Sequence, residues 1–225
     1  MQKDYYQNTL YPLQDKVLSV ISGLPVDFYL TGGTALSRAY LHHRYSDDLD
    51  FFVNDTQEFK IQMNHILKGF KNAPLNFSAI TLDEGFVRLQ VNEGDATLKL
   101  DFVNDVTFRC GSVVATDLFI RTDNIENILS NKISALGRSA AKDLIDIIYI
   151  CGVHAFDWEK IIADAQQKDL WVNEVEVAQM IEQFSSSIID EINWIGSPPA
   201  STWISDRIAI IIGDIITGNR NSLKE

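Results

Sequence analysis

Two short stretches in the first part of the chain carry residues whose types and spacing could do chemistry. Gly32-Gly33-Thr34 follows an apolar run, and Asp48 and Asp50 stand two positions apart at the start of the next one. Paired glycines permit backbone angles closed to other residues, and a helix that begins there presents unpaired amides to an anion such as a phosphate. The alternative is a tight strand-to-helix turn that binds nothing.

The two aspartates suit a hard cation. Side chains of a strand alternate between its faces, so Asp48 and Asp50 share one face while Leu49 points to the other. Two carboxylates this close repel each other unless a cation lies between them, and oxygen ligands favour a divalent ion such as Mg²⁺. The alternative is a solvent-facing strand end without a ligand.

A third carboxylate strengthens the metal interpretation. Asp101 stands between Leu100 and Phe102 in an alternating run, on the same predicted face as Lys99. Three carboxylates on two adjacent strands can hold two Mg²⁺ ions about 3.5 to 4 Å apart, which activates an attacking oxygen and stabilises a leaving one in phosphoryl transfer. We expect Lys99 either to contact the phosphates or to pair with Asp101.

Apolar periodicity predicts the elements that must position these residues. Strands are predicted over 26–30, 45–53, 76–82, 86–91 and 97–103, and helices over 5–21, 34–43 and 56–71. The last three strands should form an antiparallel meander through Gly-containing turns. The stretch 113–120 is either a short strand or an extended lead-in, and Asp123 with Glu126 should cap the helix that follows. Helical patterns then take over to about residue 216, and the polar tail from Gly218 should be frayed.

The glycine and aspartate motifs together resemble a known family. The chain is similar to the AbiEii/AbiGii toxin family, within the DNA polymerase beta-like nucleotidyltransferase superfamily, through GGTAL from Gly32, RxSxDLDF from Arg44 and LDF from Leu100. A further motif over 132–146 has the order Lys, Arg, Lys-Asp, Asp. The resemblance extends over roughly residues 26–150.

This resemblance implies an α+β fold. It implies a nucleotidyltransferase-like mixed sheet with helices over residues 1–121, followed by an all-helical domain over 122–225. The implied activity is Mg²⁺-dependent transfer of a nucleoside monophosphate from an NTP to RNA, such as tRNA, or to protein. The implied setting is a toxin–antitoxin system with a cognate antitoxin. The implied catalytic and metal-binding residues are Asp48, Asp50 and Asp101; the implied nucleotide-binding residues are Gly32, Gly33, Thr34, Arg44, Ser46, Lys132, Arg138, Lys142 and Asp146.

The 132–146 motif allows two local structures. Gly137 can break it into two helices with Lys142 near the start of the second, or one continuous helix can bring Arg138 and Lys142 together at i, i+4. Either arrangement can aim basic groups at a triphosphate, and the alternative is a solvated face with ordinary ion pairs. Asp146 lies among isoleucines and is expected to orient Lys132 or Arg138 by hydrogen bonding instead of binding metal.

Composition narrows the class of protein. The chain has 225 residues, 46% of them hydrophobic and 22% charged, which is typical of a globular protein and excludes disorder. A net charge of −12 argues against nonspecific binding to nucleic acid, and so weakens an RNA acceptor. We expect a cytoplasmic protein without membrane association, because no apolar run approaches a transmembrane length. Two cysteines without a CxxC motif suggest neither a disulfide framework nor a zinc site.

Two other functions fit the same residues. The chain could be a noncatalytic protein of this fold that binds a nucleotide or a partner, or a metal-dependent phosphohydrolase. The three acids argue against the noncatalytic class, because a chain released from catalysis need not keep like charges together.

Overall fold

A computed structural model describes residues 2–224 and shows two compact units. The first comprises Met1–Thr107 with Ser112–Asp123, and the second comprises Phe108–Gly111 with Asn124–Glu225. The first unit contains the sheet and the second contains helices. The predicted α+β fold class is thereby confirmed.

A five-stranded mixed sheet forms the centre of the first unit. Its strands are β1 (Tyr29–Thr31), β2 (Leu49–Asn54), β3 (Phe77–Leu82), β4 (Phe86–Glu93) and β5 (Ala96–Asp105), in the spatial order β1-β2-β5-β4-β3. Only β2 and β5 pair in parallel, and the other neighbours are antiparallel. The predicted antiparallel meander of β3, β4 and β5 is confirmed.

One face of β2 and β5 is buried in the core. Leu49 pairs with Leu100 and Phe51 with Phe102 across the two strands, and all four side chains are fully buried. Burial of one face fixes the register, because a slip of one residue would turn every apolar side chain outward. The intervening residues therefore face the opposite side of the sheet.

The helices of the first unit precede the sheet strands or connect them along the chain. They are α1 (Gln2–Tyr5), a π-helical stretch Tyr6–Leu10, α2 (Tyr11–Ser22), α3 (Gly32–Thr34) with its π-helical continuation Ala35–Leu41, and α4 (Phe59–Asn72). Pro12 lies in the first turn of α2 and has no N–H to donate to the π-helical stretch that precedes it directly. The helices were predicted, whereas the π-helical turns were not, because a single wider turn barely changes the apolar spacing.

One predicted boundary in the first unit needs correction, and one alternative left open by the sequence is decided. β2 begins at Leu49, so Asp48 precedes the strand that was predicted over 45–53. The stretch 113–120 forms no strand of the sheet; its only bridge among the described residues joins Val114 to Thr122, so it is the extended lead-in. Residues 46–48 are held by hydrogen bonds from side chains, and residue 114 by a single backbone bridge, instead of by a strand ladder. Apolar alternation does not reveal such contacts.

Within the described residues, the regular elements of the second unit are all helices, joined by loops. They are α5 (Ile125–Ser134), a 3₁₀ turn Ala135–Arg138, α6 (Ala141–Val153), α7 (Trp158–Gln166), α8 (Glu174–Glu182), a 3₁₀ turn Ser186–Glu191 and α9 (Ser201–Thr217). The break at Gly137 separates α5 from α6, as the first of the two alternatives predicted. No helix within residues 2–224 is both long and apolar enough to cross a membrane.

The start of α5 and the end of the chain differ from expectation. Asn124 caps α5 by accepting a hydrogen bond from the Asn127 amide, whereas the predicted cap, Asp123, accepts from the Thr31 hydroxyl at 2.7 Å. The tail is not frayed: Asn221 is buried and donates to the carbonyl oxygens of Cys151 and His154 at 2.7 and 2.8 Å. The polar composition of the tail predicted that it is exposed to solvent. Instead, the Asn221 side chain supplies hydrogen bonds to backbone carbonyl oxygens in the unit.

Candidate active site

The three aspartates lie at the polar face of the sheet. Asp50 on β2 is the direct partner of Asp101 on β5, so their side chains share one face. Asp48 lies two residues before Asp50, and its Oδ2 is 2.6 Å from Nζ of Lys99, which lies two residues before Asp101. The structure therefore places Asp50 and Asp101 on paired positions of two adjacent strands, with Asp48 just before the first of them.

A row of polar side chains crosses four strands at this point. Thr31 on β1 pairs with Asp50, Asp50 with Asp101, and Asp101 with Arg88 on β4. Directly paired residues have side chains close enough to interact. The row thus places two carboxylates between a hydroxyl and a guanidinium, and the Thr31 hydroxyl donates to Asp123 beyond its end.

Two cationic side chains pair with two of the three carboxylates on this face. Arg88 donates from Nε and Nη2 to the two oxygens of Asp101 at 2.7 and 2.8 Å, and Lys99 pairs with Asp48. The pKa of Arg88 is raised, first by its hydrogen bond to Asp101 and further by the charges of Asp101, Asp48 and Asp50, against the opposing effect of burial. The prediction that Lys99 contacts phosphates or Asp101 did not include this partner.

Arg88 was missed by the reasoning from sequence. The alternation Phe86-Val87-Arg88-Leu89 could have placed it on the polar face of β4, since Val87 and Leu89 are buried. Its opposition to Asp101 depends on the register between β4 and β5, which one strand alone does not specify.

The carboxylate oxygens are chemically suitable ligands for a metal ion, but their positions in this structure do not form a metal site. Oxygen ligands are those that Mg²⁺ prefers. However, within residues 2–224 no group of three or more His, Cys, Asp or Glu side chains is placed to hold a metal ion. Because Arg88 occupies both oxygens of Asp101 and Lys99 occupies Asp48, the three carboxylates do not form a metal site while these ion pairs persist.

The glycine turn lies directly against the site. Gly32 has φ +68°, and a Cβ at this position would lie 2.4 Å from Oδ2 of Asp50. A Cβ on Gly33 would lie 2.6 Å from Nη2 of Arg44 and 3.1 Å from Oγ of Ser46. The positive φ favours glycine at position 32, and at position 33 a side chain would displace the end of Arg44, which with Ser46 lies against the turn.

Thr34 links the glycine turn to the metal-binding candidates. Its side chain is fully buried, and its hydroxyl donates to the carbonyl oxygen of Asp48. Thr31, the residue before α3, does not cap this helix with its side chain. This side chain therefore does not occupy the first amides of the helix.

The N-terminal helices hold the loop that leads to Asp48. Gln14 is fully buried and donates from Nε2 to the carbonyl oxygens of Ser46 and Asp47, both at 3.1 Å. The Tyr6 hydroxyl donates to Oδ1 of Asp47 at 2.5 Å. Sequence reasoning missed both residues, although Gln14 was a detectable signal: a polar side chain on the apolar stripe of α2.

The motif of the helical unit forms a buried ionic network. Nζ of Lys132 lies 2.7 Å from Oδ1 of Asp143 and 2.8 Å from Oδ2 of Asp146, and both carboxylates are fully buried. Arg138 pairs with the other oxygen of Asp143 at 3.0 Å from a side chain that is 67% exposed. Two cations thus balance two carboxylates, Asp146 contacts Lys132, and Lys142 is exposed to solvent.

Lys168 fixes the helix that carries Lys132. Its Nζ donates to the side-chain oxygens of Asn127 and Ser130, each at 2.6 Å, and to that of Asn131. Three acceptors at i, i+3 and i+4 on one face of α5 orient this helix. Lys168 was not predicted, because a lysine after a helix is usually solvated.

Comparisons with known proteins agree with this architecture. The family model described as "Nucleotidyl transferase AbiEii toxin, Type IV TA system" matches residues 17–201. The crystal structure of JHP933 from Helicobacter pylori matches with a TM-score of 0.63 and 18% identity over 93% of this chain and 91% of that one. A candidate nucleotidyltransferase from H. pylori matches with a TM-score of 0.62 and 19% identity over 94% and 95% of the two chains. At these identities the two structures show a shared fold. No curated protein matches the chain.

Proposed function

The chain belongs to the AbiEii nucleotidyl transferase toxin family of type IV toxin–antitoxin systems, and we propose that it transfers a nucleoside monophosphate from an NTP to an acceptor nucleophile. Pyrophosphate is the leaving group of such a transfer. The observation that carries the proposal is the pairing of Asp50 with Asp101 beside the glycine turn at Gly32. This arrangement offers a phosphate-binding helix start and acidic ligands at one place.

In this proposal the turn binds the phosphates. The amides of Gly32, Gly33 and Thr34 donate to phosphate oxygens, which the small glycines allow to come close to the backbone. Arg44 and Ser46 lie against Gly33 and contribute nucleotide contacts from that side. A guanidinium and a hydroxyl are suitable donors to phosphate.

Asp48, Asp50 and Asp101 are proposed as the catalytic and metal-binding residues. Nucleotidyltransferases generally use a divalent metal, and we propose Mg²⁺, with two ions. When bound, Mg²⁺ would neutralise the negative charge of the transferring phosphate. The role proposed for Asp101 itself is to accept the proton of the acceptor hydroxyl, which requires that Arg88 release at least one of its oxygens.

Four residues of the helical unit are proposed to bind the nucleotide. Arg138 and Lys142 have exposed side chains that can donate to a triphosphate. Lys132 is buried between Asp143 and Asp146, and we propose that Asp146 orients it.

The acceptor and the partner follow from the same family membership. We propose RNA, such as tRNA, or protein as the acceptor, and a cognate antitoxin as the partner of this toxin. The net charge of −12 disfavours an RNA held by backbone phosphates alone. A noncatalytic nucleotide-binding protein is the second candidate, because Arg88 and Lys99 already neutralise the acids that catalysis would use.

Transfer of labelled nucleotide tests the proposal. The purified chain is incubated with Mg²⁺ and each α-labelled NTP, together with total RNA, total cell protein or neither. We expect one acceptor fraction to carry label, and Asp101→Asn to lower this transfer by about 100-fold or more, because a group that acts only in the transition state is lost. Nucleotide affinity should stay within a few-fold of wild type.

Asp83→Asn is the matched control, since Asp83 is exposed in the turn between β3 and β4, and transfer should be unchanged. Full transfer by Asp101→Asn would show that the catalytic assignment is wrong. Absence of label in every fraction with the wild-type chain, despite nucleotide binding, would favour the noncatalytic candidate.

A further inference from the structure

The acidic face of the sheet is already charge-compensated by the chain itself. Arg88 takes both oxygens of Asp101, and Lys99 takes one oxygen of Asp48. We propose that Arg88 and Lys99 compete with divalent cations for Asp101 and Asp48, so that a metal ion binds there only as these ion pairs open. This inference rests on the proposed function, since it concerns the same carboxylates.

Arg88 and a divalent ion would compete for Asp101 because both are cationic and would occupy the same positions around its carboxylate. A guanidinium that donates to both oxygens of a carboxylate occupies the directions from which a metal ion would be bound. A divalent ion bound to Asp101 would lie within a few ångströms of this guanidinium, and like charges at that distance repel strongly near a protein surface. Arg88 therefore cannot keep its bidentate contact with Asp101 when a cation is bound.

Exposure indicates which partner moves. The Asp101 side chain is only 12% exposed, whereas those of Arg88 and Lys99 are each 37% exposed. Asp101 is also fixed by pairing on both sides of β5. The two cations lie at the solvent side on long flexible stems, so they can swing away while Asp101 stays in place.

A purely structural role makes the opposite prediction. If Arg88 only held the sheet or the Asp101 rotamer, its removal would leave cation binding unchanged or weaken it. If Arg88 competes, its removal must tighten cation binding. The sign of the change therefore separates the two roles.

Titration of the nucleotide-free chain with Mn²⁺ measures this sign. The free ion is followed by electron paramagnetic resonance for wild type, Arg88→Gln, Lys99→Gln, Arg88→Lys and the control Arg220→Gln. We expect Arg88→Gln to lower the Mn²⁺ dissociation constant about tenfold, as removal of one nearby unit charge implies. Lys99→Gln should lower it as well, and Arg88→Lys should stay near wild type because the charge remains.

The controls locate the effect. Arg220→Gln removes the same charge from an exposed pair with Asp157 and should change the constant by less than about twofold. Adding Asp101→Asn to Arg88→Gln should abolish the gain. Circular dichroism and thermal melting verify that each variant is folded, and Lys99→Gln tests the same competition at Asp48 if Arg88→Gln fails to fold.

Three results would overturn the inference: an unchanged or weaker Mn²⁺ affinity in folded Arg88→Gln, a gain that survives Asp101→Asn, or no Mn²⁺ binding by any variant. The outcome is independent of turnover. Tighter Mn²⁺ binding without nucleotidyl transfer would reject the proposed reaction and retain the competition.

Discussion

Gly32 is restricted to glycine by its backbone angle and by a neighbouring carboxylate. Its φ is +68°, and a Cβ would meet Asp50 at 2.4 Å. We expect Gly32→Ala to lower the free energy of unfolding by about 2 kcal/mol or more, because left-handed strain and a displaced Asp50 add together. Urea unfolding measures this change.

Gly94→Ala is the matched control for strain alone. Gly94 has φ +56°, and a Cβ at this position would have no neighbour within 4 Å. Its substitution by alanine should therefore lower the free energy of unfolding by only about 1 kcal/mol. Equal losses in the two variants would mean that contact with Asp50 does not constrain the turn.

The two cysteines provide a second test at the residue scale. Burial, with a further contribution from a hydrogen bond to Asp164, raises the pKa of the Cys110 thiol to about 12 from an ordinary value of 9.0. Complete burial also raises the pKa of Cys151. The thiolate is the reactive form, so we expect neither thiol to react with iodoacetamide at pH 8.5 in the folded chain and both to react in urea.

The raised pKa of Cys110 also fixes the sign of a pH effect. Its contribution to stability is fully present below pH 9 and is lost as pH rises toward about 12, because the thiol ionises first in the unfolded chain. Rapid labelling of native Cys110 at pH 8.5 would show that its site opens readily.

The aspartates could be placed from sequence, and their cations could not. Period-two alternation puts Asp50 and Asp101 opposite the apolar face whatever their neighbours are. The partners of Arg88 and Lys99 depend on strand order and register, which are properties of the whole sheet. The structure shows where the predicted residues lie; their roles in nucleotide and metal binding stay predictions.

The ionic network on α5 and α6 gives a prediction at the scale of the element. Lys132→Ala removes one cationic partner from each of Asp143 and Asp146, both fully buried. Removing the cation from a buried ion pair is strongly destabilising, so we expect a loss of about 3 to 5 kcal/mol in the free energy of unfolding, measured by urea denaturation.

Arg138→Ala is the control within the same network. Its side chain is mostly exposed, so the loss should be at most about 1 kcal/mol. If the two variants lose equal stability, the network is not what anchors α6 to α5. A weak nucleotide affinity of Lys132→Ala is interpretable only when this stability loss has been measured.

Most helices and strands were predicted well because their apolar periods are regular, whereas the mixed sheet was implied by the family resemblance. The cap of α5 was predicted wrongly at Asp123, since Asn124 and Asp123 can both accept an amide hydrogen bond locally. The Thr31 hydroxyl, distant in sequence, engages Asp123. The local sequence thus allowed either residue to cap α5. The contact of Asp123 with Thr31 leaves Asn124 as the cap.

At the scale of the whole molecule, both segments outside the family match are integral to their units. The match covers residues 17–201, whereas Gln14 lies before it and Asn221 after it. Each side chain donates two hydrogen bonds to backbone carbonyl oxygens. The resemblance seen in the motifs is confirmed, and these flanking contacts are additional to it.

Gln14→Leu tests the N-terminal segment. It leaves the buried carbonyl oxygen of Ser46 and the partly buried one of Asp47 without this donor, which should cost about 1 to 3 kcal/mol of unfolding free energy. The loop before Asp48 should also shift, so nucleotide affinity should fall in the folded variant. Gln7→Leu, at an exposed position of the same segment, should leave both quantities unchanged. Normal stability of Gln14→Leu would show that the loop does not depend on this contact.

The parallel pairing of β2 with β5 sets an order of assembly. β3, β4 and β5 are joined by short turns and can pair as soon as they are synthesised, whereas β2 must wait for a strand that follows it by a helix and two further strands. Contacts between residues distant in sequence form late because closing the long loop costs entropy. Asp50 therefore meets Asp101 only when the sheet is completed, and a nascent or truncated chain that lacks β5 has no paired carboxylates at this position.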